Sequence, residues 1–321
     1  MRSPSLVSVV IPTRNRHSLV VRAVQSVLAQ SHPAVEAIVV VDGPDSATQQ
    51  ALGQIEDPRL RTKVLDQSVG GAQARNAGVD MAQGEWIAFL DDDDEWMPTK
   101  LERQLLLASQ MDCRRPVVSC QVIARSPTGD QVWPRRKPEP GEPISEYLLA
   151  RRSFTQGEGL LQTSTLLIPR VLLQKVPFRV GLRRHQDWDW MLRAAREPGV
   201  GIDLVMEPLA IWHIEERRAT VSQGSNWKYS LEWISNNREL VTPWAFAAFV
   251  LTQVGSFAAR ERAWSSFWSL LRTASKHGSP RPIDLALYLT WWVAPQPLRR
   301  SLRDAALRLK ERALPSRPRR S

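Results

Sequence analysis

The chain has 321 residues, 43% hydrophobic and 24% charged, which excludes a wholly disordered polymer and allows one large domain or two modest ones. Its two cysteines, Cys113 and Cys120, exclude a disulfide framework and a cysteine-based zinc site, so a reduced, cytoplasmic protein is expected. The net charge of +10 invites a nucleic-acid partner, but residues 296–321 hold nine Arg/Lys against Asp304 and Glu311, a net of +7, and no groove-reading motif accompanies them.

Leu6 to Ile11 is a β-branched run stopping at Pro12, as a buried strand entering a loop does. Ser18 to Gln30 carries Leu19, Ala23, Val24, Val27 and Leu28 at helical spacing. A second strand, Ala37 to Val41, ends in Asp42-Gly43. A polar helix around Ala47 to Ile55, a short strand from Thr62 to Leu65 and a helix within Val69 to Ala82 follow. Trp86 to Leu90 is a third strong strand, and it runs straight into Asp91-Asp92-Asp93-Asp94. This β-loop-α succession predicts a mostly parallel sheet flanked by helices, with ligands bound outside the carboxyl ends of the strands.

Beyond Pro98 the pattern predicts a helix from Lys100 to Gln110, strands at Val117 to Ile123 and Thr163 to Ile168, and a helix over Trp188 to Arg196. The proline-rich stretch 125–145 reads as a turn followed by a mobile loop. From Trp227 onward the pattern is helical and rich in tryptophan. In the tail, Leu298, Leu302, Ala306, Leu309 and Ala313 share one helical face among arginines. That stripe suits an anionic membrane surface, and a solvated terminal helix is the plain alternative. No apolar stretch approaches the ~20 residues that a membrane-spanning helix needs.

Four adjacent carboxylates repel one another, so the aspartate run must recruit a cation or spread into solvent. At a strand end, oxygen ligands of this kind suit Mg²⁺ or Mn²⁺; a helix cap is the bland reading. Asp42 could accept hydrogen bonds from a ribose or base, or simply belong to an Asp-Gly turn. Gly70-Gly71 followed by Arg75 and Asn76 offers backbone freedom and a cation at a helix start, as phosphate contacts require.

Taken in order, SVVIPTRNR (8–16), VVVDG (39–43), GGAQARNAG (70–78), FLDDDDEWMPTKLERQ (89–104) and HQDWDWMLRAA (185–195) resemble the family 2 glycosyltransferases with the GT-A fold. The likeness spans residues 6–215. It implies an α/β GT-A domain over 1–222, a helical extension over 223–295 and a basic tail over 296–321.

The resemblance places Pro12, Thr13 and Arg14 beside the nucleotide, with Arg75 on the donor side. Asp42 would hold the base, usually uracil; the family's preceding aspartate is Val41 here. The D-x-D signature falls on Asp91 and Asp93, with Asp92 in the variable middle place. Asp93 would hold the metal bridging the donor's diphosphate, and Asp91 would lie by the ribose or metal-bound water. Asp187 matches the catalytic base, while the family's neighbouring glutamate is Gln186. His213 matches a metal or diphosphate contact, with packing between Trp212 and Ile214 as the alternative.

The implied reaction is an inverting, metal-dependent transfer from a nucleotide-sugar donor to a glycan or lipid-linked acceptor in cell-surface polysaccharide assembly. A carboxylate at a helix N-terminus is favoured in its charged form, so Asp187 is expected to be ionised near neutral pH. The competing reading is a non-catalytic, membrane-docked or nucleic-acid-binding module with a degenerate nucleotide-sugar site.

Overall fold

The computed structural model describes residues 4–126, 129–155, 157–214 and 226–293. The proposed tail helix therefore lies outside the described residues. The chain divides into two compact units. The first comprises Met1–Ile144 and Gly159–Val221, and the second Ser145–Glu158 and Ser222–Ser321.

In the first unit, the apolar runs become β1 (Val7–Thr13), β2 (Val35–Val41), β3 (Leu60–Val64) and β4 (Trp86–Phe89). β1 pairs in parallel with β2 and β4, and β2 with β3. The connecting helices are α1 (His17–Leu28), α2 (Ser46–Leu52) and α3 (Gly71–Met81). Val20, Ala23, Val24 and Val27 are buried on α1, the face that the helical spacing selects. Gly78 of α3 sits so close to β1 that a Cβ there would lie 2.3 Å from Val10 Cγ1.

The sheet continues through β5 (Glu95–Trp96), β6 (Arg115–Arg125), β7 (Gln131–Trp133), β8 (Leu167–Pro169) and β9 (Val200–His213). Its order is β3-β2-β1-β4-β8-β6-β9-β5, with β7 paired to β6. α4 (Lys100–Gln110) contributes buried Leu101 and Ala108 to the core cluster shared by the central strands and α1. β9 runs parallel to β6 from Val200 to His213, with register shifts around Gln121, which faces Pro208. A bulge of this kind admits a proline that the regular ladder would reject.

Two expectations need correction. The stretch Thr163 to Ile168 is not one strand: Thr163–Thr165 form a 3-10 turn, and β8 begins at Leu167. The Thr165 hydroxyl donates back to the Gln162 carbonyl at 2.7 Å, a local bond that competes with a strand ladder. The proline-rich stretch holds strand β7, and the fork of Arg136 clasps Glu142 at 2.6 and 2.7 Å.

In the first unit, α6 (Arg170–Lys175) follows β8, and α7 (Gln186–Ala194) precedes β9. α5 (Ile144–Leu149) leads the chain into the second unit. That unit continues with α8 (Trp227–Asn236), α9 (Pro243–Ala248), α10 (Gly255–Arg260), α11 (Phe267–His277) and α12 (Pro282–Val293). Thr242 caps α9 by accepting from the Ala245 N–H, with Pro243 in the first turn. Residues Phe249–Val254 bridge α9 and α10 as a π-helical segment. Trp244 donates to buried Asp284 at 3.0 Å, tying α9 to α12. Among the described residues no helix is long and apolar enough to cross a membrane.

Candidate active site

Because β1, β2 and β4 are parallel, their carboxyl ends open on the same side of the sheet. The loops that follow are tied together across the chain. The Thr13 hydroxyl donates to Asp92 at 2.7 Å, and the Asp42 N–H donates to the Thr13 carbonyl at 2.9 Å. Arg14 is exposed and donates to the Ser68 hydroxyl at 2.6 Å, which donates in turn to Asp42 at 2.9 Å. Pro12 is half-buried at the end of β1.

Asp42 also accepts from the backbone N–H groups of Val69 (2.7 Å) and Gly70 (3.0 Å), so its carboxylate shapes the loop that starts α3. Gly43 makes that approach feasible. Its φ of +102° is open to glycine, and a Cβ there would stand 3.0 Å from the Ser68 nitrogen.

The repulsion expected in the aspartate run is relieved by two arginines. Arg16 reaches Asp92 at 2.7 Å and Asp93 at 3.0 Å with one guanidinium nitrogen. Arg75, buried on α3, reaches Asp91 at 2.6 Å and the Gln186 side-chain oxygen at 3.0 Å. Burial opposes the charge of Arg75, but Asp91 and Asp187 outweigh it and hold its pKa above the ordinary value. Asp92 is buried beneath the loop, and that burial raises its pKa despite Arg16 and Thr13.

Asp91, Asp93 and Asp94 face one another, with one carboxylate oxygen from each lying within 4.8 Å of the others. These are hard oxygen donors, the set that suits Mg²⁺ or Mn²⁺. Asp94 is held by the Ser164 hydroxyl at 2.6 Å and the Gln162 amide at 3.2 Å. His213 lies outside this group and shares a 2.7 Å hydrogen bond with Glu95 through Nε2.

Asp187 lies in the first turn of α7, where Thr163 holds it from the 3-10 turn. The Thr163 hydroxyl donates to one oxygen at 2.5 Å, and its backbone N–H to the other at 3.3 Å. The helix end is one of several influences on this carboxylate. Burial pushes the pKa of Asp187 up and Asp91 adds to the rise, against the pull of Arg75 and Thr163.

Asp189 points elsewhere: fully buried, it pairs with Arg193 at 2.8 Å and Arg179 at 3.1 Å. Of the two neighbouring indoles, Trp190 is core, donating to the Val176 carbonyl at 2.8 Å and stacking on Phe178. Trp188 remains half-exposed, parallel to the His185 ring at 5.2 Å.

Sequence reasoning had not singled out Arg16, Asp94, Glu95, Thr163 or Ser164. Arg16, Asp94 and Glu95 lie inside quoted motifs and are reachable from them. Thr163 and Ser164 sit about 70 positions beyond the aspartate run, and only the fold sets Ser164 on Asp94 and Thr163 on Asp187.

The description Glycosyl transferase family 2 matches residues 8–176. The amylovoran biosynthesis glycosyltransferase AmsB of Erwinia amylovora is 31% identical over 237 residues, covering 71% of this chain and 76% of that protein. The succinoglycan biosynthesis protein ExoO of Rhizobium meliloti is 38% identical over 118 residues, 37% of this chain and 34% of that protein. Among solved structures, S. aureus TarS 1–349 in complex with UDP-GlcNAc superimposes with a TM-score of 0.58 at 14% identity. It covers 94% of this chain and 92% of that one, a likeness of fold. A family match over more than half of the chain, on a GT-A sheet with its acidic loop at the strand ends, leads to one conclusion: the chain belongs to glycosyl transferase family 2 and is a glycosyltransferase.

Proposed function

We propose that this enzyme moves a sugar, with inversion, from a UDP-linked donor to a hydroxyl of a glycan or lipid-linked acceptor in cell-surface polysaccharide assembly. The observation that carries this reading is the position of Arg75. It joins Asp91 of the acidic group to Gln186, the neighbour of Asp187, so donor and acceptor machinery meet on one cation. The names of AmsB and ExoO support polysaccharide synthesis, and the UDP-GlcNAc bound to TarS supports the donor class.

Pro12, Thr13 and Arg14 would line the nucleotide, with Asp42 reading its base and Arg75 facing the phosphates. Asp187 would take the proton of the acceptor hydroxyl as that oxygen attacks the anomeric carbon and the bond to the nucleoside diphosphate breaks. A carboxylate with a raised pKa is a better proton acceptor than an ordinary one, and Thr163 keeps it oriented. One displacement needs no second carboxylate as nucleophile. Asp91, Asp93 and Asp94 would hold Mn²⁺ or Mg²⁺, whose charge, when bound, offsets that of the diphosphate. His213 would reach this group's border through Glu95. The basic segment 296–321 would bring the enzyme from the cytoplasm onto an anionic membrane surface.

The test is a panel of UDP-, GDP- and dTDP-sugars incubated with the protein in Mn²⁺ and in chelator. Metal-dependent turnover of a UDP-sugar is expected, and Asp93→Ala should abolish it. Full activity of that variant, or turnover indifferent to chelator, would remove the metal from the reading. Failure to bind or turn over any nucleotide sugar would overturn it entirely.

A further inference from the structure

The second unit presents an exposed apolar face. Trp264 and Trp268 are 59% and 72% exposed, and on α12 Leu285, Leu289 and Val293 are 36%, 51% and 76% exposed. The last three recur every four residues and so share one side of α12, opposite buried Leu287. A chain of rings links the two exposed indoles to α12. Trp264 meets Trp292 at 5.1 Å, Trp292 meets Phe267 at 5.4 Å, and Phe267 meets Trp268 at 5.0 Å.

Charge around the face is mostly positive, with exposed Glu261 three residues before Trp264 as the acidic exception. From Arg262 to Val293 the only acidic residue is Asp284, which is fully buried and accepts from Trp244 and the Arg281 N–H. Arg262, Arg272 and Lys276 are exposed, and the latter two continue the four-residue spacing of Trp264 and Trp268. Arg260 lies over the Trp291 ring at 5.8 Å. Beyond α12 the sequence adds the +7 of residues 296–321.

We propose that the α11–α12 face, centred on Trp264, Trp268, Leu289 and Val293, docks on an anionic lipid bilayer. Indole rings favour the headgroup boundary, aliphatic side chains the region just beneath it, and flanking cations the lipid phosphates. The described span of α12, Pro282–Val293, is shorter than a membrane crossing, and in this proposal it lies along the surface. Single-stranded nucleic acid also takes aromatic and basic groups, but Leu285, Leu289 and Val293 offer its bases nothing to stack on. This placement deepens the membrane role proposed for the tail while resting on different residues.

The experiment is co-sedimentation of the full chain with vesicles of equal parts phosphatidylglycerol and phosphatidylcholine, and of phosphatidylcholine alone. The combined variant Trp264→Ser/Trp268→Ser/Leu289→Ser should lose about tenfold or more in partition to the anionic vesicles. Trp264→Phe/Trp268→Phe, which keeps the aromatic area, should stay close to the parent and guards against a folding defect in the serine variant. A chain ending at residue 295 should keep binding that the serine variant lacks. If truncation abolishes binding and the serine substitutions change nothing, the tail alone docks and this proposal falls. It also falls if the parent binds both vesicle types equally. A concentration-dependent dimer that the serine variant loses, or a single-stranded oligonucleotide that displaces the vesicles, would likewise overturn it.

Discussion

Asp187 and Asp189 stand two residues apart on α7 in opposite surroundings. Asp189 is neutralised by Arg179 and Arg193, whereas Asp187 has hydrogen bonds from Thr163 but no arginine within salt-bridge distance among the described contacts. Asp187→Asn should therefore cost about 10²–10⁴ in kcat and leave nucleotide affinity intact, as steady-state kinetics and calorimetric titration would read. Its effect on stability has a definite sign. The folded pKa lies above the ordinary 3.8, so the protonated carboxyl favours the fold and that benefit fades as pH rises through the raised value. The asparagine variant should melt higher than the parent near neutral pH, with the gap closing in acid below 3.8. A variant that melts lower at neutral pH would show that the ionised carboxylate is favoured after all. Thr163 acts through Asp187. Thr163→Val removes a hydrogen bond that lowers the base's pKa, so the acid limb of the rate profile should move to higher pH and kcat should fall more than KM changes. Thr163→Ser should restore both, an outcome that a merely structural threonine would not give.

At the scale of elements, the site depends on how closely α3 lies against β1. Gly78 permits the approach, and Arg75 is carried one turn earlier on the same helix. Gly78→Ala puts a methyl 2.3 Å from Val10 Cγ1, and overpacking of that kind costs about 1–3 kcal/mol. Urea unfolding should show a lowered midpoint with unchanged slope. The displaced helix should also weaken the Arg75 bridge between Asp91 and Gln186, lowering kcat. An alanine variant as stable and active as the parent would mean that α3 shifts freely. The 3-10 turn Thr163–Thr165 is a second such device. Ser164 donates to Asp94 and accepts from the Asp91 N–H at 3.1 Å, so one turn borders both the acidic group and the base.

Across the whole molecule, two compact units each bury their own apolar residues, with Ile11, Val24 and Leu101 in one and Phe246, Val250 and Leu270 in the other. Leu270→Ala empties a site that is 1% exposed and should cost about 2–5 kcal/mol of the second unit's stability. Nucleotide binding, which the proposal assigns to the first unit, should survive at temperatures where that variant is otherwise intact. Loss of nucleotide affinity in the folded variant would tie the two units together energetically.

The amino-acid sequence by itself determined the parallel strands β1, β2 and β4, the helices between them, the acidic loop at their ends and the family. Each is written in a local pattern: apolar runs of strand length, helical spacing, or a contiguous motif. Tertiary structure alone decided which aspartates of the run face together and which one, Asp92, turns inward to Thr13 and Arg16. It also paired His213 with Glu95, set Thr163 on Asp187 and laid β9 beside β6 through the bulge at Pro208. These contacts join residues as far apart as Glu95 and His213, separated by 118 positions. No local period records such a pairing. It follows from the order in which the strands assemble, because that order decides which loops meet at one edge of the sheet.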